Sequence, residues 1–246
     1  MRDIDKYTSD YNKSNFEDYQ VKYRRRKVLE EINKYKPKRI LEIGCGMEPL
    51  FKYLNNDFLQ YTLVEPSKVF YENAVKLSNG NSKIICYNNF FGNSDLILDE
   101  DYDLVVCSGL LHEISEQVEF INSLYKVCSD NTVLHVNVPN ANSFHRLLAK
   151  KMGLINDEHD MSERNILYQQ YNVFDICSLK NIFKENGFEI IDSGSYFIKP
   201  FTHSQMYEMM NSKIININIL DALYDMIEYM PDLGSEIFIN VKKKTK

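Results

Sequence analysis

No run of the chain comes near the roughly 20 consecutive apolar residues that a membrane span needs. The charged, polar amino terminus is unlike a secretion signal, so a cytoplasmic protein with no membrane partner is expected. Cationic excess is missing too: 29 Lys and Arg face 35 Asp and Glu, a net charge of −6. That balance argues against a surface that wraps nucleic acid. The five cysteines, at 45, 86, 107, 128 and 177, contain no C-x-x-C pair. Their spacing points to reduced, buried thiols and away from zinc. Internal repeats and low-complexity linkers are also absent. What remains is a 246-residue chain, 44% hydrophobic, enough for one large domain or a domain with an embedded lid.

Residues 1–36 read as a polar, tyrosine-rich arm and a helix from about Phe16 that Pro37 ends. Strands are then expected near 38–43, 60–64, 82–87, 103–107 and 131–138, with helices near 48–55, 67–77 and 115–128. Such alternation implies a parallel sheet with right-handed crossovers. Leu104-Val-Val-Cys107 is apolar without alternation, as a strand covered on both faces should be. Past Pro139 the chain turns polar, with one short helical piece (Phe144, Leu147, Leu148), and reads as a lid inserted over about 140–175. A helix over 175–186 with Gly187 as its cap, a strand over 188–192 and a helix over 206–230 follow. Ile215, Ile217 and Ile219 alternate within that last helix in a strand-like way. Glu236–Val241 is the last strand, and the lysine-rich tail 242–246 a solvated end.

The most informative segment is Arg39-Ile-Leu-Glu-Ile-Gly-Cys-Gly46, a buried strand running into a glycine turn, with Glu65 ending the next strand. Glycines there let the backbone approach a nucleoside, and an acid about 20 residues on reads ribose hydroxyls. Dinucleotide dehydrogenases and S-adenosylmethionine (SAM) methyltransferases share this arrangement. A dinucleotide turn wants a third glycine where this chain has Pro49, which disfavours a nicotinamide oxidoreductase.

Glu42-Ile-Gly-Cys-Gly46 resembles the E/D-x-G-x-G motif of class I SAM-dependent methyltransferases, and the resemblance extends over roughly 16–241. It implies an α/β, Rossmann-like doubly wound sheet of seven strands with the last antiparallel. The domain occupies 37–246, and the N-terminal helical arm covers 1–36. By that resemblance Glu42, Gly44 and Gly46 line the methionine and ribose end of SAM, and Glu65, followed by Pro66, accepts the ribose hydroxyls. Asn89 contacts the adenine amino group and Phe90 stacks on the ring, although relatives often carry Asp at this point. Ser108 and Leu110 lie beside the sulfonium. Tyr23 and Arg24 precede the motif at a spacing that suits a clamp on the methionine carboxylate, and neighbouring Arg25 and Arg26 leave that register open.

His112, just past the fourth strand, is the candidate general base, with Glu113 to orient it or act alone. Two polar clusters on the carboxyl-end rim of the sheet are candidates for the acceptor pocket. One holds Asn140, Ser143 (a helix N-cap), His145 and Arg146; the other holds Lys199, His203 and Gln205. His135, inside a strand, reads as a core histidine, and the acids of 157–160 as solvated rather than metal-binding. The fourth strand lacks the D/N/S-P-P-aromatic motif of amino-methylating nucleic-acid enzymes, so a small-molecule acceptor is expected. Val138–Leu148 with Met152-Gly-Leu-Ile155 resembles small-molecule O-methyltransferases of bacterial surface-polysaccharide (capsule) clusters. That likeness suggests a phosphoramidate or sugar acceptor; a quinone, phenol or nitrogen acceptor and a non-catalytic SAM-binding scaffold stay open. A monomer and a homodimer are both compatible with the sequence.

Overall fold

Helix α1 (Glu17–Tyr35) lays Tyr23, Val28 and Ile32 against the core and ends at Lys36 in a left-handed conformation just before Pro37. A computed structural model describes the whole chain except residues 1, 2, 5, 7, 9–15, 56, 99, 100 and 246. Most of the arm before Phe16 and the final lysine of the tail thus lie outside the described residues.

Strands β1 (Arg39–Ile43), β2 (Gln60–Val64), β3 (Ile84–Tyr87), β4 (Leu104–Ser108) and β5 (Val133–Pro139) are parallel. The inner strands are covered on both faces, so Leu104, Val105, Val106 and Cys107 of β4 are all fully buried, whereas the edge strand β3 leaves Ile85 exposed. Helix α2 (Lys68–Ser78), capped by the Ser67 side chain, and α3 (Gln117–Val127) make two of the crossovers. The sheet order is β3-β2-β1-β4-β5-β7-β6, and β7 (Glu236–Lys243) runs antiparallel between β5 and β6 (Phe188–Tyr196). The order reverses between β1 and β4, and ligands of such folds bind at the carboxyl ends there. Pairing of Ile43 with Val64 and of Ser108 with Asn137 brings Gly44, Glu65, Gly109 and Asn140 to one rim.

The expected helix at 48–55 is only a 3-10 turn, Leu50–Tyr53. Pro49 and Leu54 are both extended, and the Leu50 N–H is taken by the Glu42 carboxylate rather than by a helical carbonyl. The inserted segment holds α4 (Phe144–Lys151) and α5 (Glu163–Leu167), ahead of α6 (Ile176–Glu185). The segment 206–230 divides into α7 (His203–Asn211) and α8 (Ile217–Asp225). Lys213 adopts φ +60°, and Asn216 caps α8 by accepting the Asn218 and Ile219 N–H groups. The alternating isoleucines straddle that break. Strand β6 runs four residues past the expected end, with a bulge between Ile190 and Asp192. Lys242 and Lys243 pair with Glu189 and Phe188, so the tail frays later than its charge suggests. Cys177 is exposed, unlike the buried Cys107 and Cys128, and all five thiols are free. Among the described residues no helix is long and apolar enough to cross a membrane.

Candidate active site

Beyond β1 the backbone turns through Gly44 (φ +74°) and Gly46 (φ +56°), a conformation that side chains resist. The turn presents the Cys45 N–H to Glu65 Oε2 at 3.0 Å, while Glu65 Oε1 accepts the Ser67 N–H at 2.8 Å. Oε2 also takes the Cys45 thiol at 3.7 Å, and the Gly46 N–H donates to the same carboxylate. Among the described residues no cation lies within 4.0 Å of this buried carboxylate, and burial raises its pKa above the ordinary range. Oε1, with the Ser67 N–H on it, keeps capacity for a further donor. Glu42, by contrast, turns inward. The Tyr61 hydroxyl donates to it at 2.7 Å and the Leu50 N–H at 3.3 Å, and burial pushes its carboxyl up to about 8.

These groups bound one end of a continuous cavity of about 760 Å³. Gly44, Gly46, Glu65 and Pro66 line that end, with Phe90 and Phe91 beside them. Ser108 and Leu110 line the middle, and a Cβ added to Gly44 would come 3.6 Å from Leu110 Cδ2. His112 and Glu113 follow in a 3-10 turn, with His112 Nε2 3.7 Å from Glu113 Oε1. The His112 carbonyl accepts the Tyr171 and Asn172 N–H groups, which ties the inserted segment to this wall.

The far end is polar and crowded with charge. Arg24 grips Glu236 through Nε (2.9 Å to Oε2) and Nη2 (2.6 Å to Oε1). The guanidinium lies over the backbone past β4, with Cζ and Nη1 both 3.1 Å from where a Gly109 Cβ would stand. Gln20 and the Tyr196 hydroxyl also donate to Glu236. Glu17 accepts from Arg164 at 2.9 Å and lies 3.4 Å from His203 Nε2. Burial alone would raise its pKa, but His203, Arg24 and Arg164 hold it well below the carboxylate range. His203 Nδ1 lies 2.9 Å from Lys199 Nζ. His145 completes the wall, its pKa lowered by burial and by the charges of Lys199, His203 and Arg146.

Several expected roles change. Tyr23 does not reach the cavity: it stacks on Phe197 at 4.4 Å and donates to Asp221, deep in the packing of α1 on the carboxyl-terminal helices. Asn89 lies off the wall because its Oδ1 is taken by the Phe90 N–H and Asn93 Nδ2; Asn93 lines the cavity instead. Ser143 sits at the N-cap of α4, buried and off the wall, and its side chain makes no cap bond. Gln205 closes a capping box with Thr202 at the exposed start of α7. Asn140 and Arg146 do border the cavity, but their side chains brace backbone. Asn140 donates to the Asp232 and Gly234 carbonyls, and Arg146 to those of Glu158 and Asp160. Of the three successive arginines Arg24 points toward β4, Arg25 pairs with Glu48, and Arg26 pairs with Asp225. Asp157, Glu158 and His159 bring ligand atoms within 4.8 Å of one another, but the Lys150 ammonium already sits against both carboxylates.

Sequence reading missed Glu17, Arg164 and Glu236, because nothing local marks them as inward-facing. It also missed the buried chain behind Ser108. Asn137 bonds to Ser108 and, at 3.0 Å, to His135 Nε2; His135 Nδ1 meets Asn240, which donates to Glu31. Burial lowers the His135 pKa to about 4, so it is the neutral core histidine that its strand position implies.

Solved structures with the same fold are far in sequence. The mitomycin 7-O-methyltransferase MmcR is 13% identical with a TM-score of 0.53; the match covers 85% of this chain, which spans only half of that one. The 1,6-didemethyltoxoflavin-N1-methyltransferase of Burkholderia thailandensis is 10% identical, with a TM-score of 0.61 over 98% of this chain and 88% of its own. The [4+2]-cyclase SpnF is 15% identical, with a TM-score of 0.54 over 85% and 75%. No curated protein matches the sequence. A family model described as a methyltransferase domain does match, over residues 17–193, and the chain accordingly belongs to that family, with the class I fold that serves SAM-dependent methyl transfer.

Proposed function

We propose that the chain transfers a methyl group from SAM to an oxygen of a small-molecule acceptor. The observation that carries this reading is the cation-free buried carboxylate of Glu65 at one end of a cavity whose other end is a polar chamber. Glu65 suits two ribose hydroxyls, and the positive-φ glycines leave the backbone open to close approach. Arg24 Nη1, beside Gly109, suits the methionine carboxylate, and Phe90 the adenine face. SAM supplies a methyl group on a cationic sulfur that leaves as a neutral thioether. The protein's share is to exclude water and align the acceptor. His112 and Glu113, past Leu110, are the groups we assign to contact with it.

For the acceptor itself, the likeness to capsule-cluster enzymes supports a phosphoramidate, such as phosphorylated glutamine, or a sugar precursor. Calorimetry with SAM and its demethylated product tests the cofactor. Mass-spectrometric turnover on phosphoramidates, nucleotide sugars and small phenols then tests the chemistry. Binding followed by a one-methylene mass gain is the expected result; well-folded protein that binds neither nucleoside would sink the proposal. Binding without turnover on any class would favour the scaffold reading; the cyclase SpnF shows that this fold is not confined to methyl transfer. His112→Ala should raise KM about tenfold while leaving cofactor affinity unchanged, since its side chain borders the acceptor end.

A further inference from the structure

We propose that Lys199 is the general base, a neutral amine that takes the proton of an acceptor hydroxyl, with His203 and Glu17 as the residues that position it. The inference rests on the methyl-transfer reading above and narrows its acceptor to one that carries a proton on the attacking oxygen.

Hydrogen positions along the chain follow from Glu17. Its carboxylate is fixed by Arg164 at 2.9 Å and Arg24 at 3.6 Å and can only accept. His203 Nε2 faces that carboxylate at 3.4 Å without a formed hydrogen bond, and the negative charge there favours the ring proton on Nε2, which leaves the lone pair on Nδ1. Lys199 Nζ, 2.9 Å away, must then donate to Nδ1. One amine hydrogen is committed to this bond, which leaves the rest of Nζ for the cavity that Lys199 lines.

The surroundings favour the uncharged amine. Lys199 is only 4% exposed, and among the described residues no carboxylate lies within 4.0 Å of Nζ. A buried ammonium without an ion-pair partner is costly. The charged groups that face it are Arg24 and Glu17 from α1, Arg164 from α5 and Glu236 from β7, with the imidazoles of His145 from α4 and His203 from α7. Burial, then Arg164, lowers the Lys199 pKa to about 7, while burial and Lys199 lower that of His203 to about 3. Proton transfer balances simply: the acceptor O–H bond breaks, its proton joins the Nζ lone pair, and the oxygen keeps the bonding pair with which it attacks. The new ammonium keeps its hydrogen bond to His203 Nδ1 and, having no ion-pair partner, gives its proton to solvent once product leaves. An acceptor already ionised, such as a phosphate oxygen, would have no use for this amine.

The test begins with NMR of protein labelled at lysine Cε, titrated with and without the demethylated cofactor. One signal should titrate near pH 7 and vanish in Lys199→Met; if Lys199 instead titrates with ordinary lysines near about 10.4, the proposal is overturned. Lys199→Arg then separates base from cation. It keeps a positive charge but cannot give up its proton, so kcat on a hydroxyl acceptor should fall about 100-fold or more with cofactor affinity retained. Turnover by Lys199→Arg within threefold of the parent would overturn the proposal as well. Failure of the parent to bind the nucleoside would instead indict the methyltransferase reading, and the NMR titration would still report on Lys199.

Discussion

Glu236→Leu is expected to destabilise the protein by about 3–5 kcal/mol, read as a shift in the denaturant midpoint at unchanged slope. The carboxylate is 2% exposed, and Arg24, Gln20 and the Tyr196 hydroxyl all converge on it. Removing it leaves a guanidinium whose remaining carboxylate, Glu17, is 3.6 Å away and already shared with Arg164. Three donors then lose their acceptor in a place water reaches poorly, and each unmet group adds its own desolvation cost. For a chain of this length the melting temperature should drop by about 10 °C. Glu236→Gln keeps an acceptor oxygen but not the charge, and should fall between the two. The double variant Arg24→Met, Glu236→Leu should recover most of the loss, because replacing a buried ion pair by apolar groups is often close to neutral. If Glu236→Leu alone costs less than 1 kcal/mol, this knot does not hold α1 to β7.

The sequence singled out Arg24, Lys199 and His203 but not their partners, and the reason is physical. Glu17, Arg24, Arg164, Lys199, His203 and Glu236 come from four elements and the loop after β6, and meet only once α1, the insertion and β7 have packed over the same rim. The placement of Gly44, Gly46 and Glu65 was legible because it depends on local geometry: a strand end, a left-handed turn and the end of the neighbouring parallel strand. The seven-stranded sheet was legible for the same reason, since buried parallel strands need unbroken apolar runs. Residues whose bonding is settled by a neighbour were misread. Asn89 and Gln205 look like free amides but are turn and cap groups, and Tyr23 looks like a clamp but is claimed by Phe197 and Asp221. The helix at 48–55 failed because a buried Glu42 captured the Leu50 N–H, an interaction eight residues apart that periodicity does not register.

Glu65→Gln should weaken SAM binding by about 100-fold, measured calorimetrically, with little loss of fold stability. Hydrogen bonds to a buried carboxylate contribute about 1.5–3 kcal/mol each, and on the proposed reading two ribose hydroxyls donate to Glu65. An amide offers one acceptor oxygen and two N–H groups, one of which would meet the Cys45 or Ser67 N–H head-on. Stability should change by no more than about 1–2 kcal/mol, because removing a buried charge that no cation balances offsets the backbone N–H left unpaired. The pH dependence gives a second check. Burial raises the Glu65 pKa, so the ionised form that accepts from hydroxyls is favoured above the raised value and is lost as pH falls through it. Parent affinity should therefore decline on acidification before an ordinary glutamate carboxyl would protonate. Glu42 also titrates in this cavity, near 8, and the Glu65 charge helps to raise it, so its step shifts in the variant; it falls on the alkaline side, apart from the acid-side decline assigned to Glu65. The Gln variant should lack the acid-side decline. Equal acid sensitivity in parent and variant would show that the decline belongs to another group and that Glu65 does not read the ribose.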